Sequence, residues 1–257
     1  MRVLVTGHRG FIGQNMVKAL WAADHQVTTY EWGDGDVKLD KVDWVVHLGA
    51  ISSTTGPIDK VMIQNYEFTI LLLNECERRG INIQYASSAS VYGNGPTFRE
   101  SDEAKPQSYY AWSKYLIDRY ALSKEWKNQV QGFRYFNVYG PHEDHKEQPS
   151  PHTMFRRQAK ATGVIKIFEG SDKAKRDFVP VKIVTLLHQR FFEIPENGVW
   201  NVGTGTATSF TEVAKQIAAE TDATIQEIPM PESLRNNYQW FTQADLTKVK
   251  ETNLKWP

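Results

Sequence analysis

The first half of the chain alternates short apolar runs with longer segments whose apolar residues recur every three or four positions. Runs rich in β-branched and aromatic residues predict buried strands, and apolar residues at helical spacing predict amphipathic helices. Strands are expected at 2–6, 26–31, 43–48, 82–86 and 129–135, with a short strand-like piece at 37–40. Helices are expected at 14–22, at 58–79 and from Ser108 to about 127. This regular alternation predicts an α/β fold with a doubly wound parallel sheet.

After Pro141 the alternation becomes less regular. Helices are expected around 153–161, after Pro180 and at 211–221, and strands at 164–168, 199–202 and 224–228. A first domain at 1–140 followed by a smaller lobe, mainly 141–257, fits this change of pattern. Some segments of the second part, about 178–203, are expected to return to the first domain.

The first expected strand ends in a glycine-rich turn. Gly7, Gly10 and Gly13 follow it at intervals of three residues, and a helix is expected directly afterwards. In a dinucleotide-binding turn the first glycine permits the tight turn, the second lets backbone approach a pyrophosphate, and the third lets helix and strand pack closely. The helix N-terminus then offers N–H groups to the phosphates. A plain glycine-rich turn is the alternative, but the flanking strand and helix favour a Rossmann-type nucleotide site.

The second expected strand ends on an acidic residue, Glu31. An acid about 20 residues after the glycine turn accepts hydrogen bonds from the adenosine ribose hydroxyls and repels a 2′-phosphate. The next five residues add Asp34 and Asp36 and contain no lysine or arginine. The pattern therefore favours NAD over NADP, unless Glu31 is only a solvated strand end.

Further residues near the strand ends complete a predicted cofactor site. Gly49 and Ala50 leave room for a cofactor to pass closely, and 37–40 is placed beside the adenine. The predicted cofactor contacts are Gly7, Arg9, Gly10, Phe11, Ile12, Gly13, Glu31, Leu39, Asp40, Leu48, Gly49, Ala50, Asn65, Tyr110, Lys114, Phe136 and Val138. Ser52 and Ser53 belong to a run of hydroxyls that suits either a sugar or phosphate site or the cap of the following helix.

Tyr110 and Lys114 stand four residues apart, which places both side chains on one face of a helix. A phenol with a pKa near 10 is a poor base at neutral pH, and a fixed ammonium one turn away is expected to lower that pKa. The pair can then exchange a proton with a hydroxyl or ketone while a nicotinamide exchanges a hydride. The motif alone is a weak signal, but the glycine turn, together with Ser87 and Ser88 at a strand end, strengthens it.

The composition of the chain excludes several classes of binding partner. The 257 residues include 30 basic and 30 acidic side chains, so the formal net charge is zero and generic binding to nucleic acid or a membrane surface is not expected. Neither a bilayer-spanning run nor a signal peptide is expected. The single cysteine, Cys76, is expected to be a packed residue in a protein of the reducing cytoplasm. His142, His145 and His152 show no metal-ligand spacing, so no metal site is expected.

Two longer motifs point to a family. Ser-Ala-Ser-Val-Tyr-Gly at 88–93 and Arg-Tyr-Phe-Asn-Val-Tyr-Gly-Pro at 134–141, with the glycine turn and the Tyr110 and Lys114 pair, resemble the extended short-chain dehydrogenase/reductase superfamily and its nucleotide-sugar epimerases. The resemblance covers nearly the whole chain. Within that group, the stretches that look most like the 6-epimerases of nucleotide-activated heptoses include 52–55, 168–171, 175–179 and 238–246.

The resemblance implies an enzyme that transiently oxidises a sugar carbon to a ketone and returns hydride to the opposite face. Tyr110 would accept the hydroxyl proton, Lys146 would carry a proton on the other face, and Ser88 would hold the reacting oxygen. The substrate contacts that it implies are Ser52, Ser53, Ser88, Asn137, Lys146, Phe168, Glu169, Gly170, Ser171, Arg176 and Tyr238. Arg176 also suits a diphosphate, because its planar fork binds phosphate oxygens in pairs; an ion pair with Asp177 is the alternative.

Departures from the family leave other interpretations open. Its members often carry a basic residue after the position of Glu31 and use NADP, so the resemblance also allows NADP. Gln148 and Met154 stand where a serine and a histidine are expected, Lys182 stands where an aspartate is usual, and the chain ends at Pro257, short of the usual last helix.

The alternatives are an epimerase or reductase for another nucleotide-hexose and a catalytically silent nucleotide-binding scaffold. A 4,6-dehydratase or decarboxylase is disfavoured, because Ala89 and Ser90 stand where those enzymes carry an acid. The resemblance further implies a homodimer, or a higher homo-oligomer, formed through helices 58–79 and 108–127.

Overall fold

A computed structural model of the chain describes residues 1–53, 55–95, 97–144, 146, 148–232 and 239–252. Its centre is a six-stranded sheet in which every neighbouring pair of strands is parallel. In spatial order the strands are β2 (Gln26–Tyr30), β1 (Arg2–Thr6), β3 (Trp44–His47), β4 (Asn82–Ser88), β5 (Val130–Tyr135) and β9 (Gly198–Val202). The strand order reverses between β1 and β3, and ligands of such sheets bind beyond the carboxyl ends of the strands at that point.

Helices cover both faces of this sheet. They are α1 (Phe11–Ala22), α2 (Ile58–Val61), α3 (Phe68–Arg79), α4 (Tyr109–Ala121) and α6 (Val181–Phe191). A π-helical segment, Met62–Glu67, joins α2 to α3 in one continuous helix. Ala89–Tyr92 forms a 3₁₀ turn after β4.

Both faces of the central strands are buried. Val3 and Val5 of β1 pack in a cluster with Met16 and Leu20 of α1, whereas Leu4 packs in the opposite cluster with Leu72 of α3. Strand side chains alternate between two faces, so a strand covered on both faces needs apolar residues throughout. This explains why β1 is recognisable as a continuous apolar run in the sequence.

The smaller lobe contains two further sheets. Their strands are β6 (Asn137–Tyr139), β8 (Lys175–Pro180) and β10 (Ala207–Ser209), in the order β10-β8-β6, and the parallel pair β7 (Val164–Phe168) and β11 (Thr224–Ile228). Helices α5 (Pro151–Thr162) and α7 (Phe210–Thr221) share a core with them that includes Phe155, Ile165, Phe178, Val213 and Ile217. A short helix, α8 (Thr247–Glu251), contacts β9.

Several elements differ from the expectation. The piece at 37–40 is not a strand, because Leu39 packs into the core instead of extending a ladder. The helix expected to reach about 127 ends at Ala121, where the ring N–H of Trp126 donates to the Ala121 carbonyl (2.7 Å) and satisfies one of its last acceptors. The apolar pattern does not predict β6, β8 or β10, which are short or carry charged residues.

Candidate active site

The glycine turn lies between the end of β1 and the start of α1. Gly7 has a φ of +70°, and a Cβ there would come within 2.5 Å of the backbone of Gly49. A Cβ at Gly13 would overlap the carbonyl oxygen of Gly7, so α1 packs directly on the turn. Gly10 is the N-cap of α1 and provides no side-chain cap for the first-turn N–H groups. The turn thus presents backbone donors at close range, as a bound pyrophosphate requires.

Glu31 lies beside this turn. Its Oε2 accepts a hydrogen bond from the backbone N–H of Arg9 (3.1 Å), and its own N–H donates to Oδ2 of Asp34 (2.8 Å). A small cavity of about 70 Å³ opens here, lined by Thr6, Gly7, Tyr30, Glu31, Trp32, Gly49, Ala50, Gln64 and Phe68. A partly exposed carboxylate at the edge of this cavity fits a ribose diol, and the neighbouring acid disfavours a second phosphate.

A larger cleft of about 550 Å³ begins at the same turn and extends along the strand ends. It is lined by Gly7, Gly10, Phe11, Ile12, Gly13, Leu48, Ala50, Ser52, Ser53, Thr55, Ala86, Ser87, Tyr110, Lys114, Tyr135, Lys146 and Gln148. The structure therefore brings seven other expected cofactor contacts together with Tyr110, Lys114 and Lys146.

Tyr110 and Lys114 lie on one face of α4. Ser108 caps this helix by accepting the N–H of Ala111 (3.1 Å), so the helix begins one residue before Tyr110. Nζ of Lys114 lies 5.9 Å from the centroid of the Tyr110 ring. Ser88, the last residue of β4, lies near the Tyr110 side chain, and its Oγ accepts the backbone N–H of Ser90 (3.2 Å). Tyr110 and Lys114 thus line the cleft together, whereas the expected Ser88 lies near Tyr110 without lining it.

Burial governs the protonation of this pair. It lowers the pKa of Lys114 to about 8, against the opposing attraction of Asp118. Burial also raises the pKa of Tyr110, and the nearby Ser88 hydroxyl offsets part of that rise. The expectation that Lys114 makes Tyr110 more acidic than a free phenol is therefore wrong for this structure, in which desolvation is the larger effect.

Asp118 lies one helical turn beyond Lys114 and is completely buried. Its carboxylate accepts hydrogen bonds from Tyr85 Oη (3.0 Å), Ser87 Oγ (2.9 Å) and Arg134 Nε (2.8 Å). These bonds tie α4 to β4 and β5. Because Ser87 precedes Ser88, they also fix the strand end that carries Ser88 against the helix that carries Tyr110.

Lys146 reaches the cleft from the loop between β6 and α5. Its Nζ lies 5.3 Å from the ring centroid of Phe11, the first residue of α1. Its backbone N–H donates to the carbonyl of Glu143 (3.0 Å). Gln148 lines the cleft from the same loop, whereas Met154 lies on α5 and is 38% exposed.

Some expected cofactor contacts lie elsewhere. Leu39 is buried in the core, and Asp40 is exposed and pairs with Arg79 (3.1 Å). Phe136 is also buried in the core, with Val138 packed against it. None of these four lines either cavity. Their contact with a cofactor stays a prediction.

Asn65 supports the cleft from behind. It is completely buried within the π-helical segment. Its Oδ1 accepts the N–H of Ile51 (2.8 Å), and its Nδ2 donates to the Ile51 carbonyl (3.0 Å) and to Ser113 Oγ (3.2 Å). Both ends of the amide therefore hold the loop after β3 against α4, and a direct contact with a cofactor stays a prediction.

Arg176 and Asp177 are both buried on β8. The Arg176 guanidinium donates to the carbonyls of Lys175 (2.9 Å) and Gln239, and it lies 5.6 Å from the ring centroid of Phe210. The Asp177 carboxylate accepts hydrogen bonds from the backbone N–H groups of Thr204 (2.7 Å), Gly205 (2.8 Å) and Ala244 (3.0 Å). Arg176 is thus held rigidly in the lobe.

Arg176, Asn137 and the segment 168–171 do not line the cleft. The segment 168–171 follows β7, and a Cβ at Gly170 would lie 3.8 Å from the Trp240 ring. Asn137 is exposed, and its Oδ1 accepts a hydrogen bond from Thr242 Oγ1 (3.4 Å). Tyr238 and His145 lie outside the described residues. Substrate binding by this group stays a prediction.

The structure adds residues that the sequence did not single out as contacts. Trp32, Gln64 and Phe68 line the small cavity, and Ala86 and Tyr135 line the cleft. The position of Tyr135 at the end of an expected parallel strand is a usable signal. Gln64 and Phe68 lie inside a long helix, where no local pattern distinguishes them.

Two features are absent from the described part of the chain. No helix there is long and apolar enough to cross a bilayer. No group of three or more histidine, cysteine, aspartate or glutamate side chains among those residues could hold a metal ion.

A Rossmann sheet with a dinucleotide turn and a Ser, Tyr and Lys cluster at its strand ends defines an enzyme of the short-chain dehydrogenase/reductase type. Residues 3–203 match the NAD dependent epimerase/dehydratase family. The chain is 40% identical to the ADP-L-glycero-D-manno-heptose-6-epimerase of Brachyspira hyodysenteriae, over 99% of this chain and 92% of that protein. The chain belongs to the NAD-dependent epimerase/dehydratase family.

Solved structures agree on the fold. The UDP-N-acetylglucosamine 4-epimerase of Methanobrevibacter ruminantium superposes with a TM-score of 0.88 at 24% identity, covering all of this chain and 93% of that one. The UDP-glucose 4-epimerase of Thermus thermophilus, solved with NAD, gives 0.84 at 23% identity, covering all of this chain and 94% of that one. The expected fold class, the recognised superfamily and the expectation of an epimerase are therefore confirmed.

Proposed function

We propose that the protein inverts one carbon of a nucleotide-activated sugar, an ADP-activated heptose, by transient oxidation and reduction with NAD. One observation carries this proposal: Tyr110, Lys114 and Lys146 line a single cleft that starts at the glycine turn. Tyr110 comes from α4 and Lys146 from the loop before α5, so two separate elements supply a proton carrier. Such a pair suits inversion through a ketone, because the carbon is reduced from the face opposite to the one oxidised.

The chain's own residues then have distinct tasks. The glycine turn binds the pyrophosphate of the cofactor and Glu31 binds its ribose. NAD, when bound, accepts and returns the hydride, and its positively charged ring opposes the effect of burial on the Tyr110 pKa. Tyr110 takes the hydroxyl proton while Ser88 donates a hydrogen bond to the same oxygen. After the ketone has turned over, Lys146 delivers a proton on the second face.

The heptose is proposed on sequence similarity, since the Brachyspira protein with 40% identity is named for that substrate. Arg176 is assigned to the diphosphate, because a rigidly held guanidinium matches phosphate oxygens. Gln148 lines the cleft where the family pattern has a serine, so it is the first residue to examine if the sugar differs.

NAD is proposed over NADP because Glu31 lines the small cavity beside the glycine turn and Asp34 accepts the Glu31 N–H. A homodimer is proposed through the joined helix α2–α3 and α4. These helices carry exposed apolar side chains at Ile63 (46%), Leu71 (68%), Tyr109 (50%) and Trp112 (45%), and pairing would cover them. A molecular mass of 29.5 kDa, one chain, in light scattering would contradict the homodimer.

A cytoplasmic setting is proposed because Cys76 is buried and unpaired.

Purified protein mixed with ADP-glycero-manno-heptose and followed by NMR at C6 tests the function. Inversion is expected with the wild-type chain. The Tyr110→Phe variant should lose roughly 10²- to 10⁴-fold in kcat, as for a removed general acid–base. Tyr109→Phe removes the adjacent, half-exposed phenol and is the matched control, with activity retained. Turnover by Tyr110→Phe at the wild-type rate would disprove the mechanism.

A further inference from the structure

Glu143 is a buried carboxylate, only 1% exposed, in the loop that carries Lys146. Its Oε1 accepts the N–H of Gly140 (2.8 Å) and the hydroxyl of Ser150 (2.9 Å), and its Oε2 accepts the N–H of Ser150 (2.5 Å). Gly140 directly follows β6, and Ser150 is the N-cap of α5. One side chain therefore joins both ends of the loop.

The backbone of the same residue holds the middle of the loop. The carbonyl of Glu143 accepts the N–H of Lys146 (3.0 Å) and a hydrogen bond from Nη2 of Arg157 (3.4 Å). Hydrogen bonds to an ionised carboxylate are stronger than neutral ones, and a buried charge is tolerated only when donors surround it. Glu143 thus fixes the loop through its side chain and fixes Lys146 through its carbonyl.

We propose that Glu143 is the positioning residue for Lys146, rather than a residue that touches the substrate. This inference rests on the proposed function, in which Lys146 is the second proton carrier. Lys146 has a long flexible side chain, so its backbone hydrogen bond to Glu143 and its contact with Phe11 help to define where the ammonium lies. A displacement of about 1 Å at such a group is enough to lower a rate roughly 10²-fold.

Glu143→Gln tests the inference, because it keeps the shape but has one acceptor oxygen, so its NH2 group must face the N–H of either Gly140 or Ser150. We expect kcat to fall about 10- to 100-fold, with KM for the sugar nucleotide within about threefold. Asp144→Asn is the matched control: it removes the same charge one residue later, from a side chain that is 91% exposed and pairs with Arg157 (3.5 Å). Its kcat should stay within about twofold.

Coupling with Lys146 separates positioning from general destabilisation. In Lys146→Met there is no ammonium left to position, so adding Glu143→Gln should lower kcat no further. If the double variant instead loses kcat by the product of the two single losses, the inference is overturned. A wild-type kcat in Glu143→Gln would also overturn it. If that variant is unfolded by circular dichroism, Glu143→Asp, which keeps the charge but is too short to reach both ends of the loop, takes its place with the same criteria.

The proposed function fails separately. If the wild-type chain turns over no nucleotide sugar, or Lys146→Met keeps the wild-type rate, then the role of Lys146 is wrong and this inference falls with it. If the wild-type chain is active and Lys146→Met is impaired, an unaffected Glu143→Gln overturns only the inference.

Discussion

The carboxylate of Asp118 lies 2.8 Å from Nε of Arg134, and their side chains are 1% and 5% exposed. Arg134 also donates from Nη1 to the hydroxyl of Tyr92 (3.0 Å). This buried pair connects α4, which carries Tyr110 and Lys114, to β5 in the sheet. Helix α4 is therefore held in place by charge–charge and hydrogen-bond contacts as well as by apolar packing.

Replacing Asp118 should lower the free energy of unfolding. Asp118→Asn leaves Arg134 buried without its countercharge, and breaking such a pair typically lowers the free energy of unfolding by about 3–5 kcal/mol. Urea unfolding followed by circular dichroism measures the change. Glu75→Gln is the control, because Glu75 pairs with Arg78 and Arg79 at the surface and its loss should change little. Equal stability of Asp118→Asn and the wild-type protein would show that the pair is dispensable.

Replacing Lys114 should make the protein more stable and less active. Its pKa in the folded state is about 8, below the value of 10.5 for a free lysine, so the unfolded chain binds an extra proton between these pH values. The free energy of unfolding therefore rises with pH across that window. Below about pH 8 it is lowered by the full cost of burying the charged lysine. Lys114→Met should gain up to roughly 3 kcal/mol at pH 7. A lower urea midpoint at pH 7 in this variant would contradict the assignment.

Mild acid should destabilise the fold through buried histidines. Burial lowers the pKa of His47 and of His188 to about 3, and burial, with a smaller effect of Arg156, lowers that of His152 to about 4. In the unfolded chain these histidines take up protons near pH 6.5, whereas in the folded chain they stay neutral. The free energy of unfolding is therefore highest above that pH and decreases as the pH falls below it. Each histidine should contribute about 2 kcal/mol between pH 6.5 and 5.

Unfolding in urea at pH 7.5 and at pH 5.0 measures this effect. His47→Asn should reduce the difference between the two free energies, because it removes one titrating group while keeping a side chain that can bond to Thr6. Identical free energies of unfolding for the wild-type chain at both pH values would mean that these histidines are not held neutral.

Cofactor choice should depend on Glu31. Glu31→Ala removes the acceptor for the ribose hydroxyls, and losing hydrogen bonds to a charged group should weaken NAD binding about 10- to 100-fold. NADP binding should weaken less or improve, because the repulsion of its 2′-phosphate also falls. Calorimetric titration with each cofactor provides the comparison. Asp36→Ala changes an exposed acid of the same loop and should leave both affinities nearly unchanged; unaltered NAD binding in Glu31→Ala would remove Glu31 from the site.

The sequence was most informative where local pattern and tertiary role coincide. β1 and β3 are covered on both faces, so their apolar runs predict them, and the glycine turn is a local motif whose strand and helix flank it directly. The helix spacing of Tyr110 and Lys114 likewise places them together without further information.

Other features depend on partners far along the chain. Strand β8 begins Lys-Arg-Asp, and its buried charges are satisfied by Gln239, by 204–205 and by Ala244, so no apolar run marks it. The role of Glu143 depends on Gly140 and Ser150 meeting across a loop. The direction of the Tyr110 pKa shift also depends on distant residues. Helix spacing predicts that Lys114 lies beside Tyr110, but it does not predict the burial that raises the pKa.

The fate of the hydrogen bound to C6 tests the central claim, transient oxidation of the sugar, most directly. ADP-heptose carrying deuterium at C6 should be epimerised with the label kept at C6, because the same site removes and returns that hydrogen as hydride. The reaction of unlabelled sugar in deuterated water should correspondingly leave C6 free of deuterium. Loss of the label to solvent, or its uptake from solvent, together with inversion, would show that a proton is abstracted instead and would contradict transient oxidation at the Tyr110 and Lys146 cleft.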